Sequence, residues 1–115
     1  MTTPEITSLL STYKLPLHDE KMLQRGIEEA LTKNGVAFER EHHLDKASIP
    51  DFFINGLAIE VKIKGSAKSI FRQIERYSLH PDVKEILLIT NKTMGIMPEL
   101  NGKRCYLLKL STAWL

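Results

Sequence analysis

The chain has 115 residues, the size of one compact domain, and its 43% apolar and 26% charged residues exclude a disordered or collagen-like chain. No apolar run approaches the roughly 18 residues of a membrane span, the N-terminus lacks the apolar stretch of a signal peptide, and the single cysteine, Cys105, can build neither an internal disulfide nor a cysteine-based zinc site alone; a cytoplasmic protein with no membrane partner is expected. The net charge of +2, from 16 Lys and Arg against 14 Asp and Glu, supplies no global field for nucleic acid, so such a partner must be argued from where the charges sit.

Residues 1–17 read as a lead-in segment ahead of a single domain over 18–115. Thr2-Thr3-Pro4 and Ser11-Thr12 are loop-like, Pro16 blocks a continuous helix, and a short amphipathic piece can form around Ile6–Leu10. From Asp19 the spacing of Leu23, Ile27, Ala30 and Leu31 predicts a helix, N-capped by Asp19 and stopped at Asn34-Gly35. Glu20 and Gln24 extend its apolar stripe and face the body of the protein, whereas Glu28 and Glu29 read as solvated helix charges. Val36–His43 alternates as a strand, with Val36 and Phe38 on one face and Glu39 and Glu41 on the other. Asp51–Ile54 and Leu57–Ile63 read as a hairpin joined by Asn55-Gly56, since both turn positions tolerate positive φ.

A second helix is expected over Ser66–Leu79, with Ile70, Phe71, Ile74 and Tyr77 inward and Pro81 beyond its end. Glu85–Thr90 is a nearly continuous apolar run, as in a buried strand. A last strand, Cys105–Leu110, follows a turn at Asn101-Gly102. The fold class is therefore α/β (α+β), a mixed sheet with helices on its faces. The crossover from Leu57–Ile63 to Glu85–Thr90 adds a parallel strand to an antiparallel meander.

The hairpin carries the chemistry. With its turn at 55–56, Asp51 and Glu60 become cross-strand neighbours, with Cβ atoms roughly 5 Å apart. Lys62 shares their face by the two-residue period of a strand. Like charges directly opposite one another repel, and a hard divalent cation is the natural compensation. Mg²⁺ takes carboxylate and carbonyl oxygens and completes its shell with water and substrate phosphate. The Lys62 ammonium would then orient the attacking water and stabilise charge developing on phosphorus. Strand parity adds Glu39 and Glu41 to this face, and Glu20 can reach it from the first helix.

Pro50-Asp51, eight intervening residues and Glu60-Val61-Lys62 resemble the PD-(D/E)xK motif of the nuclease superfamily. The stretch Gly35–Glu41 with the hairpin resembles phage-type junction endonucleases. Gln73 and Tyr77 resemble the QxxxY helix motif of lambda-exonuclease-like enzymes. The likeness runs from about Glu20 to Thr90 in the order α-β-β-β-α-β, and implies a restriction-endonuclease-like core that hydrolyses DNA phosphodiesters with Mg²⁺ or Mn²⁺, leaving a 5′-phosphate. It further implies Asp51, Glu60 and the Val61 carbonyl as metal ligands, Lys62 as the catalytic lysine, and Gln73 and Tyr77 as supports of the site. Glu20 and Glu39 are additional candidate ligands. The helix-one acid departs from the pattern, because counting back from Gly35 lands on Gln24 as readily as on Glu20.

Lys64, Lys68, Arg72 and Arg76 place cations at and along the second helix, suited to tracking DNA phosphates. Blander readings stand beside these. Asp51, Glu60 and Lys62 can be a surface ion triad, Glu39 and Glu41 a solvated edge, Gln73 and Tyr77 a helix pair at the core boundary, and the basic stripe a solvated face. His42, His43 and Asp45 do not read as metal ligands, and Phe52, Phe53 and Trp114 read as core or interface. The competing functions are a DNA-binding module without cleavage and a protein-contact scaffold that uses Trp114 and the last strand. A homodimer would double the small phosphate-contacting surface.

Overall fold

In a computed structural model that describes residues 1–110, nine elements follow one another as α1 (Thr3–Ser11), α2 (Glu20–Lys33), β1 (Glu39–Arg40), β2 (Phe52–Ile54), β3 (Leu57–Lys62), α3 (Ala67–Ser78), β4 (Glu85–Thr90), β5 (Glu99–Leu100) and β6 (Lys103–Lys109). The strands form one six-stranded mixed sheet in the order β1-β2-β3-β4-β6-β5. Strands β3, β4 and β6 are parallel to one another, and the outer pairings are antiparallel. Among the described residues, no helix is long and apolar enough to cross a membrane.

The hairpin register follows from its turn. Asn55 (φ 45°) and Gly56 (φ 91°) both take left-handed backbone, which sets Ile54 opposite Leu57, Phe53 opposite Ala58 and Phe52 opposite Ile59. Alternation along β3 then sorts its side chains between two cores. Ile59 and Val61 pack with Leu87, Ile89 and the apolar stripes of α1 and α2. Ala58 packs with Ile86, Leu88 and the Ile70, Ile74 and Tyr77 face of α3. Helices thus cover both faces of the sheet, and Glu60 is carried on the α3 side.

Three stretches differ from the pattern read in the sequence. Residues 1–17 hold a helix: Thr2 and Glu5 form a reciprocal capping box, and Pro4 sits in the first turn, where it has no hydrogen bond to lose. Ile6 and Leu10 of α1 are buried in the core, so the segment read as a lead-in is part of the folded body. The strand expected over Val36–His43 shrinks to Glu39–Arg40: Val36 N–H is bonded back to Leu31 of α2, and after Arg40 the backbone of Glu41 turns to φ 48°. The Asn101-Gly102 turn joins β6 to a short partner, β5, that the sequence pattern did not reveal. Trp114 lies outside the described residues.

Leu10 is wholly buried between α1 and the sheet. Leu10→Ala is expected to lower the stability measured by urea denaturation by about 2–5 kcal/mol. An unchanged midpoint would show that α1 adds nothing to the core.

Candidate functional site

The site forms where β2 and β3 part. Their ladder ends at Phe52 and Ile59, while β3 runs on beside β4 as far as Lys62. Beyond Ile59 the β2-side edge of β3 has no strand beside it, and its N–H groups need other acceptors. Two carboxylates supply them. Asp51 Oδ2 accepts from Val61 N–H at 2.7 Å, and Glu20 Oε1, at the start of α2, accepts from Ile63 N–H at 2.9 Å. The carbonyl of a strand residue points to the same edge as its N–H, so the Val61 C=O faces the Asp51 side.

Glu60 points to the α3 face and is only 2% exposed. Its Oε1 accepts from the Tyr77 hydroxyl at 2.7 Å, and Gln73 Nε2 donates to the same hydroxyl oxygen at 2.9 Å. Glu60 Oε2 lies 3.3 Å from Lys62 Nζ. Gln73 and Tyr77, one helical turn apart on α3, therefore act as a chain of donors that orients Glu60. Burial, and then the charge of Glu60, push the Tyr77 hydroxyl well up, so it stays a donor at every physiological pH.

The two acids strain against each other. Burial raises Asp51 to about 6, against the Val61 N–H bond and the charges of Lys62 and Arg40, with Glu20 adding to the rise. Burial and then Asp51 raise Glu60 to about 7, against Tyr77 and Lys62. Such carboxyls titrate as an interacting pair, both held above the ordinary carboxylate range.

The remaining candidates separate. Gln24 is not at the carboxylate pair, since its Oε1 accepts from Arg40 Nη2 at 2.8 Å. Glu28, read as a solvated charge, accepts from Arg40 Nη1 at 3.1 Å. Glu39 has the parity of the site but stands on edge strand β1, 65% exposed and paired with His42, whose ring stacks on Phe53. Glu41 is exposed at its strained φ. Among the described residues, no three His, Cys, Asp or Glu side chains converge to hold a metal.

Lys62, Lys64, Arg72, Gln73 and Arg76 line a groove of about 340 Å³ with Gly65, Ser69 and Ile70. No acidic residue lines it, and Lys68 is not in its lining. Lys62 and Gln73 belong to both groove and site, so the two are continuous. A larger hollow of about 600 Å³ lies at the other end of β3 and β4, beneath α1. The carboxylate in its lining, Glu85, is bound by Thr3 and Tyr106, and no set of reactive groups converges there.

The chain matches no known protein family, no curated protein and no solved structure. Arg40 is the residue of this region that the sequence pattern missed. It lies outside the hairpin motif, and nothing local marks its contacts with α2 and Asp51.

A carboxyl with a folded-state pKa above its unfolded value binds more protons folded than unfolded, so metal-free stability should fall as pH rises from about 4 to 7. Asp51→Asn keeps an acceptor for Val61 N–H and removes the repulsion. In chelator at pH 8 it is expected to be more stable than the parent, on the order of 1–3 kcal/mol by urea denaturation. The gain should vanish near pH 4, and an equal gain at both pH values would rule out repulsion as its source.

Proposed function

We propose that this chain is a divalent-cation-dependent DNA nuclease of the PD-(D/E)xK type. The observation that carries the reading is a mutually repelling carboxylate pair, Glu60 buried and Asp51 half-buried, with a lysine beside it that also lines a groove rich in cations and free of acids. Structural neutralisation needs neither the pairing of two desolvated acids nor a positive groove beside them. The run α2-β1-β2-β3-α3-β4 supports a restriction-endonuclease-like core within the larger sheet.

The donor set suits Mg²⁺ or Mn²⁺. Asp51 and Glu60 offer hard carboxylate oxygens, and the Val61 carbonyl faces the same edge. A small set of carboxylate ligands matches a cation that keeps several waters and leaves room for phosphate. Such an ion, when bound, polarises the phosphate and makes water a stronger nucleophile. Lys62 Nζ, held by Glu60, would orient the attacking water and offset negative charge growing on the phosphoryl oxygens. Tyr77 and Gln73 would keep Glu60 aimed during the reaction. Lys64, Arg72 and Arg76 would grip neighbouring phosphates, with Lys68 at the periphery.

One feature favours a second reading, a DNA-binding module without cleavage: both Glu60 oxygens already have protein partners.

Purified protein should cleave DNA in Mg²⁺ or Mn²⁺, assayed on branched, single-stranded and duplex substrates. Asp51→Ala and Lys62→Ala should each lower the rate about 100-fold or more. Full activity in both variants would sink the nuclease reading, and salt-sensitive binding without cleavage by the parent would leave the module. Replacing Arg72 and Arg76 together by Ala should weaken DNA binding and reduce the slope of log affinity against log salt by roughly 1 to 2. An unchanged slope would place the DNA elsewhere.

A further inference from the structure

We infer that Arg40 is the positioning residue that holds Asp51 in its working place, an inference that takes Asp51 as a cation ligand from the proposed function. Arg40 touches neither carboxylate of the pair. It ends β1, and its guanidinium lies over the Phe52 ring, 4.6 Å from the ring centroid. From there Nε donates to the Asp51 backbone carbonyl at 3.1 Å, Nη1 to Glu28 Oε1 at 3.1 Å and Nη2 to Gln24 Oε1 at 2.8 Å.

These bonds join the two elements that deliver acids to the open edge of β3. The Asp51 carbonyl accepts a second bond, from Glu41 N–H at 3.0 Å, so residues 40 and 41 together clamp the backbone at position 51. With that backbone fixed, the Asp51 side chain reaches Val61 N–H. On the other side, Gln24 and Glu28 lie one and two turns along α2 from Glu20, which reaches Ile63 N–H. The guanidinium thus sets the spacing between Asp51 and the helix that carries Glu20. Only a planar fork can stack on Phe52 and bond three separate acceptors at once, whereas a lysine ammonium is a single point of attachment.

The role concerns the placement of one hydrogen bond, and the Val61 amide reports it directly. In metal-free protein, Arg40→Gln should speed hydrogen exchange at the Val61 amide about tenfold or more, relative to the Leu88 and Ile89 amides on neighbouring β4. Arg40→Lys keeps the charge on a single donor nitrogen but loses the planar fork, and should recover part of the protection. Glu28→Ala removes an outlying partner, leaves the bond to Asp51 in place and should protect Val61 as the parent does. In calorimetric titrations without DNA, Arg40→Gln should weaken Mn²⁺ binding roughly 10- to 100-fold, as loss of a group that orients a ligand does.

Unchanged relative protection of Val61 in Arg40→Gln overturns the inference, and so does an equal rise in exchange across β3 and β4. Should Arg40→Gln fail to fold, Arg40→Lys against Glu28→Ala makes the same comparison, and equal Val61 protection in the two overturns it. If Asp51→Ala binds Mn²⁺ as well as the parent, the cation reading of Asp51 falls. The exchange result then still decides whether Arg40 positions Asp51.

Discussion

The parting of β2 from β3 is the constraint on which the rest of this molecule turns. Strand β3 is held along its β4 edge through Lys62, but on the other side the hairpin partner leaves after Phe52. A strand edge inside a covered sheet exposes N–H groups that water does not fully serve. Here two carboxylates take the acceptor role of a missing strand, Asp51 at Val61 and Glu20 at Ile63. This backbone need draws acids from β2 and α2 to one edge of β3, and the chain clamps them there through Arg40.

The electrostatic state of the pair follows from that arrangement. Glu60 faces α3 because strand parity allows nothing else, and it arrives beside Asp51 already desolvated. Lys62 and Tyr77 offset only part of the resulting penalty, since both acids remain pushed up. A chain under selection for stability alone would place apolar groups here, because a buried ionic cluster rarely beats a packed core. Energy left stored at one point, next to a positive groove, is the pattern expected where a ligand restores the balance.

What the sequence made legible was mostly local. The Asn55-Gly56 turn sets the hairpin register within a few residues, and register with parity then places Glu60 and Lys62 on one face. The i, i+4 spacing of Gln73 and Tyr77 put them on one side of α3, although their joint grip on Glu60 required the packing of α3 against β3. The capping box of α1 is also present in the sequence, in Thr2 and Glu5, but Thr2-Thr3-Pro4 reads as loop, whereas Pro4 in the first turn is a helix starter. Contacts set by tertiary packing left no trace. Arg40 meets Gln24 and Glu28 across a loop and a helix, and the exit of Glu41 from β1 rests on one backbone dihedral that a charged side chain does not announce. Parity correctly assigned Glu39 to the face of the site, yet β1 stands too far along the sheet edge for parity alone to make it a ligand.

Helix α3 shows why a net charge of +2 says little about partners. Its Ile70 and Ile74 pack on the sheet, the buried Tyr77 bonds Glu60 and is in turn bonded by Gln73, and Arg72 and Arg76 turn outward into the groove. One element therefore presents apolar, neutral polar and cationic surfaces in sequence around its axis, and the neutral polar strip separates the acids from the cations. Lys62, on β3 rather than α3, lines the groove and also pairs with Glu60. If the arginines lay against the carboxylates, they would cancel them, and neither phosphate nor divalent cation would find an unmatched charge. Held apart, the two sets of charge stay uncancelled, which is the arrangement the proposed nuclease reading requires.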